Sequence, residues 1–258
     1  MKTIAVSLLY YNDEDYLVPC IESLINSDLS EYEFKLFIYD NNSVISAKDL
    51  IDIENWDFQN YIYRSKQNEG IVNPRIHLFK QIMQEGYDYL LEIHADMLFP
   101  EFWLTELMKL IDEETLIVQP FIYQPNKNTI LNKFDCSSFK LYNQPKKTYR
   151  KCRQVHPWII NLNLIDRVGG YYDSNYSPFI YEDDDLVYRA LMNGYDIKST
   201  NKSIVIHYGG ATRAINKFKI DNHKKYWSKK HNIDFFPEDE NYIQENFNIH
   251  PIILEGDE

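Results

Sequence analysis

Four short groups of side chains in this sequence have the types and spacing to do chemistry. His94-Ala95-Asp96 follows the apolar run Tyr89-Leu90-Leu91-Glu92-Ile93. In an extended segment residues i and i+2 point to the same side, so this imidazole and carboxylate can reach one divalent cation. That pair suits Mn²⁺ or a similar ion better than Ca²⁺. Taken alone, a turn in which Asp96 caps the next helix is the simpler reading. Glu182-Asp183-Asp184-Asp185 sets four acids in a row at the start of a helical pattern. Acids favour the first turn of any helix. Four adjacent carboxylates also repel one another, so at least one should hold its proton above the usual range unless cations are near. Such a carboxylate is a useful general base. Catalysis is the better reading only if this segment meets His94 and Asp96 in space. His207-Tyr208-Gly209-Gly210 ends the run Ile204-Val205-Ile206, and its glycines permit backbone geometry closed to other residues. A lone histidine there is more often structural than a ligand. Arg213, Lys217 and Lys219 follow and could bind an anion, although exposed lysines are usually only solvated. Asp40-Asn41-Asn42-Ser43 reads either as an Asx turn or as the acid that nucleotide-binding α/β folds place at the end of a second strand. No GxGxxG or GxxxxGK(S/T) follows any strand, which argues against a dinucleotide fold and a P-loop.

These groups need elements to position them. The first half alternates strand and helix patterns. Thr3–Leu9, Phe34–Tyr39, Tyr61–Tyr63 and Tyr87–Ile93 read as strands. Leu17, Cys20, Ile21, Leu24 and Ile25 recur at helical spacing behind Asp13, a candidate cap; Ile76, Phe79 and Met83 mark a second helix, and Phe102–Ile111 a third. Such alternation predicts an α/β fold with a mostly parallel central sheet and helices on both faces. Ligands then bind beyond the carboxyl ends of the strands, where Tyr10–Asp13, Asp40–Ser43 and His94–Asp96 all fall. The second half is less regular. Residues 121–157 lack periodicity and carry eight Lys and Arg against one acid, Asp135, which predicts an excursion from the sheet. Trp158–Leu164 and Ser203–His207 resume strand patterns. Residues 213–231 are basic and 238–258 acidic without Lys or Arg.

The chain has 258 residues, 44% hydrophobic and 26% charged, enough for one compact domain with a large core. Lys plus Arg is 27 and Asp plus Glu 39, so the formal charge is 27 − 39 = −12, which opposes general nucleic-acid binding. Cys20, Cys136 and Cys152 form no CxxC pair, so neither a disulfide framework nor a structural zinc site is expected, and a reducing, cytoplasmic location is. No apolar run reaches membrane length, so a soluble protein is expected, compatible with association at a membrane surface.

Taken together, these segments resemble family 2 glycosyltransferases of the GT-A fold. Val6–Glu14 is similar to the family's opening strand and nucleotide loop. Tyr39-Asp40-Asn41-Asn42-Ser43 resembles its DN-S segment, and Asn68-Glu69-Gly70, with Arg75 beyond it, its N-x-G turn. His94-Ala95-Asp96 stands in the DXD place, with His94 where the motif has its first Asp. Gly169-Gly170-Tyr171-Tyr172-Asp173, Tyr181–Leu186, Arg189 and Gly194-Tyr195 resemble the GG-D, EDxDL-xR and GY block, and His207–Gly210 the H-x-GG ending. The resemblance spans roughly residues 3–212. It implies a Rossmann-like nucleotide-binding half plus an acceptor half within one domain, 1–212, with 121–157 on the acceptor side and 213–258 packed on the same domain. It implies a metal-dependent, inverting transfer from a nucleoside-diphosphate sugar, expected to be a UDP-sugar, to a hydroxyl of a glycan or similar acceptor. Asp96 and His207, with His94, would hold Mn²⁺ or Mg²⁺. Asp183 would be the general base, with Glu182 or Asp185 as runner-up. Tyr10, Tyr11, Asp13 and Asp40 would hold the nucleoside. Asn68 and Arg75 would belong to the donor site, and Lys217 and Lys219 to a loop closing over the diphosphate. A nucleotidyltransferase and an inactive nucleotide-sugar-binding module are the alternatives.

Overall fold

In the computed structural model the described residues are 2–54, 58–123, 156–208 and 217–233. Among the described residues, eight strands and six α-helices follow one another as β1 (Thr3–Tyr10), α1 (Glu14–Ile25), β2 (Glu33–Asp40), α2 (Ala47–Glu54), β3 (Asn60–Arg64), α3 (Val72–Glu85), β4 (Tyr89–His94), β5 (Met97–Leu98), α4 (Trp103–Met108), β6 (Thr115–Tyr123), β7 (Trp158–Asn161), α5 (Glu182–Met192), β8 (Asp196–His207) and α6 (Lys217–His231). They build one sheet in the order β3-β2-β1-β4-β7-β6-β8-β5.

The first half is parallel: β2 pairs with β1 and β3, and β1 with β4. β7 then runs antiparallel to both β4 and β6, and β5 antiparallel to β8, while β6 and β8 are parallel. The strand-helix alternation expected from sequence holds where each strand returns through a helix. It lapses beyond residue 111, where β7 inserts between β4 and β6 and runs antiparallel to both.

β1 is buried on both faces, as a central strand under two helical layers must be. Ile4, Val6 and Leu8 enter a core with α1, α2 and α4, whereas Ala5, with Leu90 of β4 and Phe37 of β2, enters a second core with α3, α5 and α6. Each fully buried aliphatic contributes about 1.5–3 kcal/mol of transfer free energy. The parallel register puts Tyr10 beside Asp40 and Leu9 beside His94, so the carboxyl ends of β1, β2 and β4 share one edge.

Several boundaries differ from the sequence expectation. The strand expected over Trp158–Leu164 stops at Asn161, whose side chain accepts from the Asn163 N–H and starts a 3-10 helix, Leu162–Val168. β8 begins seven residues before Ser203, because β6 offers it a long parallel partner. β6 itself runs through Tyr123, so the first residues of the expected excursion are strand; residues 124–155 lie outside the described ones. On α3 the inward face is Val72, Arg75, Leu78 and Ile82, and Met83, expected inside, is 39% exposed. Among the described residues no helix is long and apolar enough to cross a membrane.

Candidate functional site

The edge at the carboxyl ends of β1 and β4 gathers a cluster of side chains that could hold a metal ion. β4 ends at His94, and the chain turns through Ala95 and Asp96 into β5. β5 pairs with the end of β8, with Met97 opposite His207. The Tyr208 N–H donates to the Asp96 carbonyl at 3.0 Å, which pins the two segments together. His207 Nε2 therefore lies 3.1 Å from Asp96 Oδ1. The His94 and His207 rings are 5.3 Å apart between centroids. One ligand atom from each of His94, Asp96 and His207 falls within 4.8 Å of the others.

Two further observations fit a cation. His207 Nδ1 is buried without a hydrogen-bond partner, and so is Glu14 Oε2 at the start of α1. Asp13, which precedes α1, has its pKa raised to about 6, by burial and then by the nearby charges of Asp96 and Glu14. The mutual repulsion of Asp13, Asp96 and Glu14 is a strain that a divalent ion would relieve. Two imidazoles and a carboxylate suit Mn²⁺, and accommodate Mg²⁺ less readily.

The acid run lies where sequence predicted a helix start, at the first turn of α5. Its four members differ sharply. Glu182 is buried, and burial followed by the Asp183 charge pushes its pKa well above the usual carboxylate range. Asp183 is half-buried, and its charge is felt at the Tyr172 hydroxyl. Asp185 is fully buried and ion-paired, with Arg189 at 2.8 Å, Lys230 at 2.7 Å and His231 at 2.9 Å. Burial raises its pKa, but the hydrogen bond with His231 and the charges of Arg189 and Lys230 outweigh burial and leave it below the usual value. Asp185, a runner-up base on sequence, is thus a structural anchor for α6.

Other expected site residues turn out to build the scaffold. Arg75, expected at the donor, is 1% exposed. It donates to the Ser7 carbonyl at 2.8 Å and the Ile93 carbonyl at 2.7 Å, and its Nε is 3.0 Å from Glu92 Oε1. It ties β1 to β4 from inside the core and cannot reach a nucleotide. Asp40, expected at the base, is fully buried. Its two oxygens accept from the Ser43 and Ala47 N–H groups, and Arg64 stands 3.5 Å away. The Asx-turn reading is the one realised, because the carboxylate is needed to start α2. Tyr10 is buried and donates its hydroxyl to the Ile45 carbonyl, shaping the loop after β2. Asn68 is exposed, but its Oδ1 accepts from Asn41 Nδ2 and from the Gly70 N–H, so it closes its own turn. Tyr11 is half-buried in the bend after β1. Lys217 and Lys219 lie in the first turns of α6, a helix rather than the expected loop. Gly209, Gly210 and Arg213 lie outside the described residues.

Three residues at this edge escaped the sequence reading: Glu92, His156 and Tyr172. Tyr172 donates to Glu92 Oε2 at 3.0 Å, and His156 Nε2 lies 3.1 Å from the Tyr172 oxygen. A carboxylate in the middle of an apolar strand was the available signal, since a buried charge demands partners.

A mixed sheet with a His-Ala-Asp turn after β4, met by a histidine from β8, is the arrangement of a GT-A fold. The sequence profile described as "Glycosyl transferase family 2" matches residues 6–161, more than half of the chain. The chain belongs to glycosyl transferase family 2, a family of glycosyltransferases. Among similar solved structures is S. aureus TarS 1-349 in complex with UDP-GlcNAc, 16% identical, TM-score 0.66, with 94% of this chain and 70% of that one covered. The mannosyltransferase PcManGT from Pyrobaculum calidifontis, in complex with GDP-Man and Mn²⁺, is 13% identical at TM-score 0.61, covering 91% and 66%. GalNAc-T7 with UDP, GalNAc and Mn²⁺ is 14% identical at TM-score 0.64, covering 97% and 55%. This chain spans 60% of another TarS 1-349 structure and 43% of a longer TarS structure. No curated protein sequence matches the chain.

Proposed function

We propose that this chain is a metal-dependent, inverting glycosyltransferase that moves a sugar from a UDP-sugar to a hydroxyl of a glycan or similar acceptor. The observation that carries the reading is the convergence of His94, Asp96 and His207 within 4.8 Å at the carboxyl edge of the sheet. The UDP, UDP-GlcNAc and GDP-Man complexes of the similar structures support a nucleoside-diphosphate donor, with uridine in two of the three proteins.

His94, Asp96 and His207 would hold Mn²⁺ or Mg²⁺, which would neutralise charge on the departing diphosphate. The loop with Tyr11 and Asp13 would face the nucleoside, with Tyr10 and Asp40 shaping it from behind. Lys217, in the first turn of α6, is our candidate for countering the diphosphate charge. Asp183 would take the proton of the acceptor hydroxyl as its oxygen attacks the anomeric carbon. One in-line displacement inverts that carbon and needs one base and no enzyme nucleophile. Asp183 suits the role better than the two runner-up acids: the Glu182 carboxyl is pushed toward its protonated form, and Asp185 is ion-paired.

The test is a product assay over a panel of nucleotide sugars and acceptors, with and without Mn²⁺. Release of free nucleoside diphosphate, dependent on acceptor and metal, is the expected result. Pyrophosphate release would mean nucleotidyl transfer instead, and binding without turnover would mean an inactive module.

A further inference from the structure

We propose that His156 is a positioning residue of the metal site, held by Glu92 and Tyr172 and setting in turn the ring of His94. The proposal rests on the metal reading of His94 given above. β4 and β7 pair antiparallel, with Tyr89 opposite Asn161 and Glu92 opposite Trp158. His156 stands two residues before the start of β7, and its ring reaches that of His94 at the end of β4. Side chains at i and i+2 share a face, and directly opposed residues touch. Glu92, His94, His156 and Trp158 therefore form one patch on one face of the sheet. The His156 ring lies 4.9 Å from that of His94 on one side and 4.8 Å from that of Trp158 on the other.

Glu92 explains why a polar ring is held there. It is fully buried, and Arg75 on its Oε1 side balances its charge. Its Oε2 is directed the other way, accepting from Tyr172 at 3.0 Å and lying 3.5 Å from His156 Nε2. His156 Nε2 also meets the Tyr172 oxygen at 3.1 Å, so two groups fix one imidazole edge. The chain thus runs from the core pair Arg75–Glu92 through Tyr172 to His156, and ends on the face of a candidate metal ligand. Partners behind metal ligands orient them, and their loss typically weakens metal binding by about 10–100-fold.

The experiment uses the full chain without nucleotide, so its readout is independent of sugar transfer. Mn²⁺ affinity by calorimetry, the visible spectrum of bound Co²⁺, and the metal-free melting temperature are measured for the parent, His94→Ala, His156→Ala and His156→Phe. We expect His94→Ala to abolish tight Mn²⁺ binding. His156→Ala should weaken it by about 10-fold or more and change the Co²⁺ spectrum. His156→Phe keeps a ring against His94 without its polar anchors, so its affinity should fall between parent and alanine variant. A lower melting temperature in His156→Ala with parental Mn²⁺ affinity and Co²⁺ spectrum would make His156 a core residue only and overturn the proposal. Tight binding that survives His94→Ala would overturn it as well. A parent that binds no Mn²⁺ would remove the metal site itself, a failure distinct from that of the positioning role. Should His156→Ala not fold, His156→Phe decides: weakened Mn²⁺ binding with intact secondary structure supports the role, and parental affinity overturns it.

Discussion

Three of the four adjacent carboxylates at the start of α5 have different fates. Glu182 is buried, and burial and then the Asp183 charge push its carboxyl well above the usual range, toward the protonated form. Asp185 is locked by Arg189, Lys230 and His231. Asp183 is left half-buried and able to accept a proton. Replacing it by Asn keeps its size and removes its basicity, so turnover should fall by about 10²-fold or more. Donor affinity, measured by calorimetry, should stay near the parent value; an equal loss of donor binding would place Asp183 at the donor instead. Glu182→Gln is predicted to be mild, because an amide resembles the protonated acid already present. Its melting temperature should stay close to the parent's, whereas a large fall would mean that Glu182 is ionised.

Helix termini hold the loop that delivers this acid run. The carbonyl of Pro178 accepts from the Ile71 and Val72 N–H groups at 2.6 and 3.2 Å, so the start of α3 grips the segment that leads into α5. Ile180 and Tyr181 then adopt φ of 82° and 70°, uncommon for side chains of their size. Such strain persists only where surroundings over-determine it. Gly70 makes the grip possible: its φ is +83°, and a Cβ there would lie 2.4 Å from Pro178 Cβ and 2.5 Å from Pro178 O. Gly70→Ala should therefore push the loop away from α3. We expect a loss of about 2 kcal/mol or more in urea unfolding, with kcat falling while Mn²⁺ binding is kept. Parental stability in this variant would show that the loop is held elsewhere.

Across the whole molecule, buried charge makes stability depend on acid. Burial alone would raise the Glu92 carboxyl, but Arg75 and then His156 outweigh it and hold it at about 2. A carboxyl lowered in the folded state contributes stability that is present above its unfolded pKa of about 4.5 and lost as pH falls through the folded value. The shift corresponds to on the order of 3 kcal/mol, lost between about pH 4.5 and 2. Asp173, held down by Lys230 against its own burial, and Asp185 act in the same direction. Glu182, with its raised pKa, is protonated in both states over this acid window and does not oppose them. Urea midpoints should therefore fall steeply below about pH 4.5, while between about pH 7 and 4.5 the raised carboxyls of Glu182 and Asp13 work in the opposite direction. A flat profile between pH 5 and 3 would contradict the ionised Arg75–Glu92 pair.

Local pattern was enough for the first four strands, for α1, α3 and α4 and for the polar clusters at the strand ends, because period and turn chemistry act within a few residues; α2 carried no readable apolar period and was missed. The order of motifs was likewise enough for the family. His94 and Asp96 could be paired as candidates from their spacing of two residues. What sequence could not reveal was which acid or base is spent on the scaffold. Arg75, Asp40 and Asn68 have the right types for a donor site, yet each is taken up by backbone groups or a buried partner, and burial is a property of the packed whole. Likewise only folding sets His207 beside Asp96, through the β5–β8 pairing, and His156 beside His94, through β4–β7. Side chains so far apart in the chain meet only when the sheet closes, since long-range register is decided by the cores on its two faces and not by local propensity.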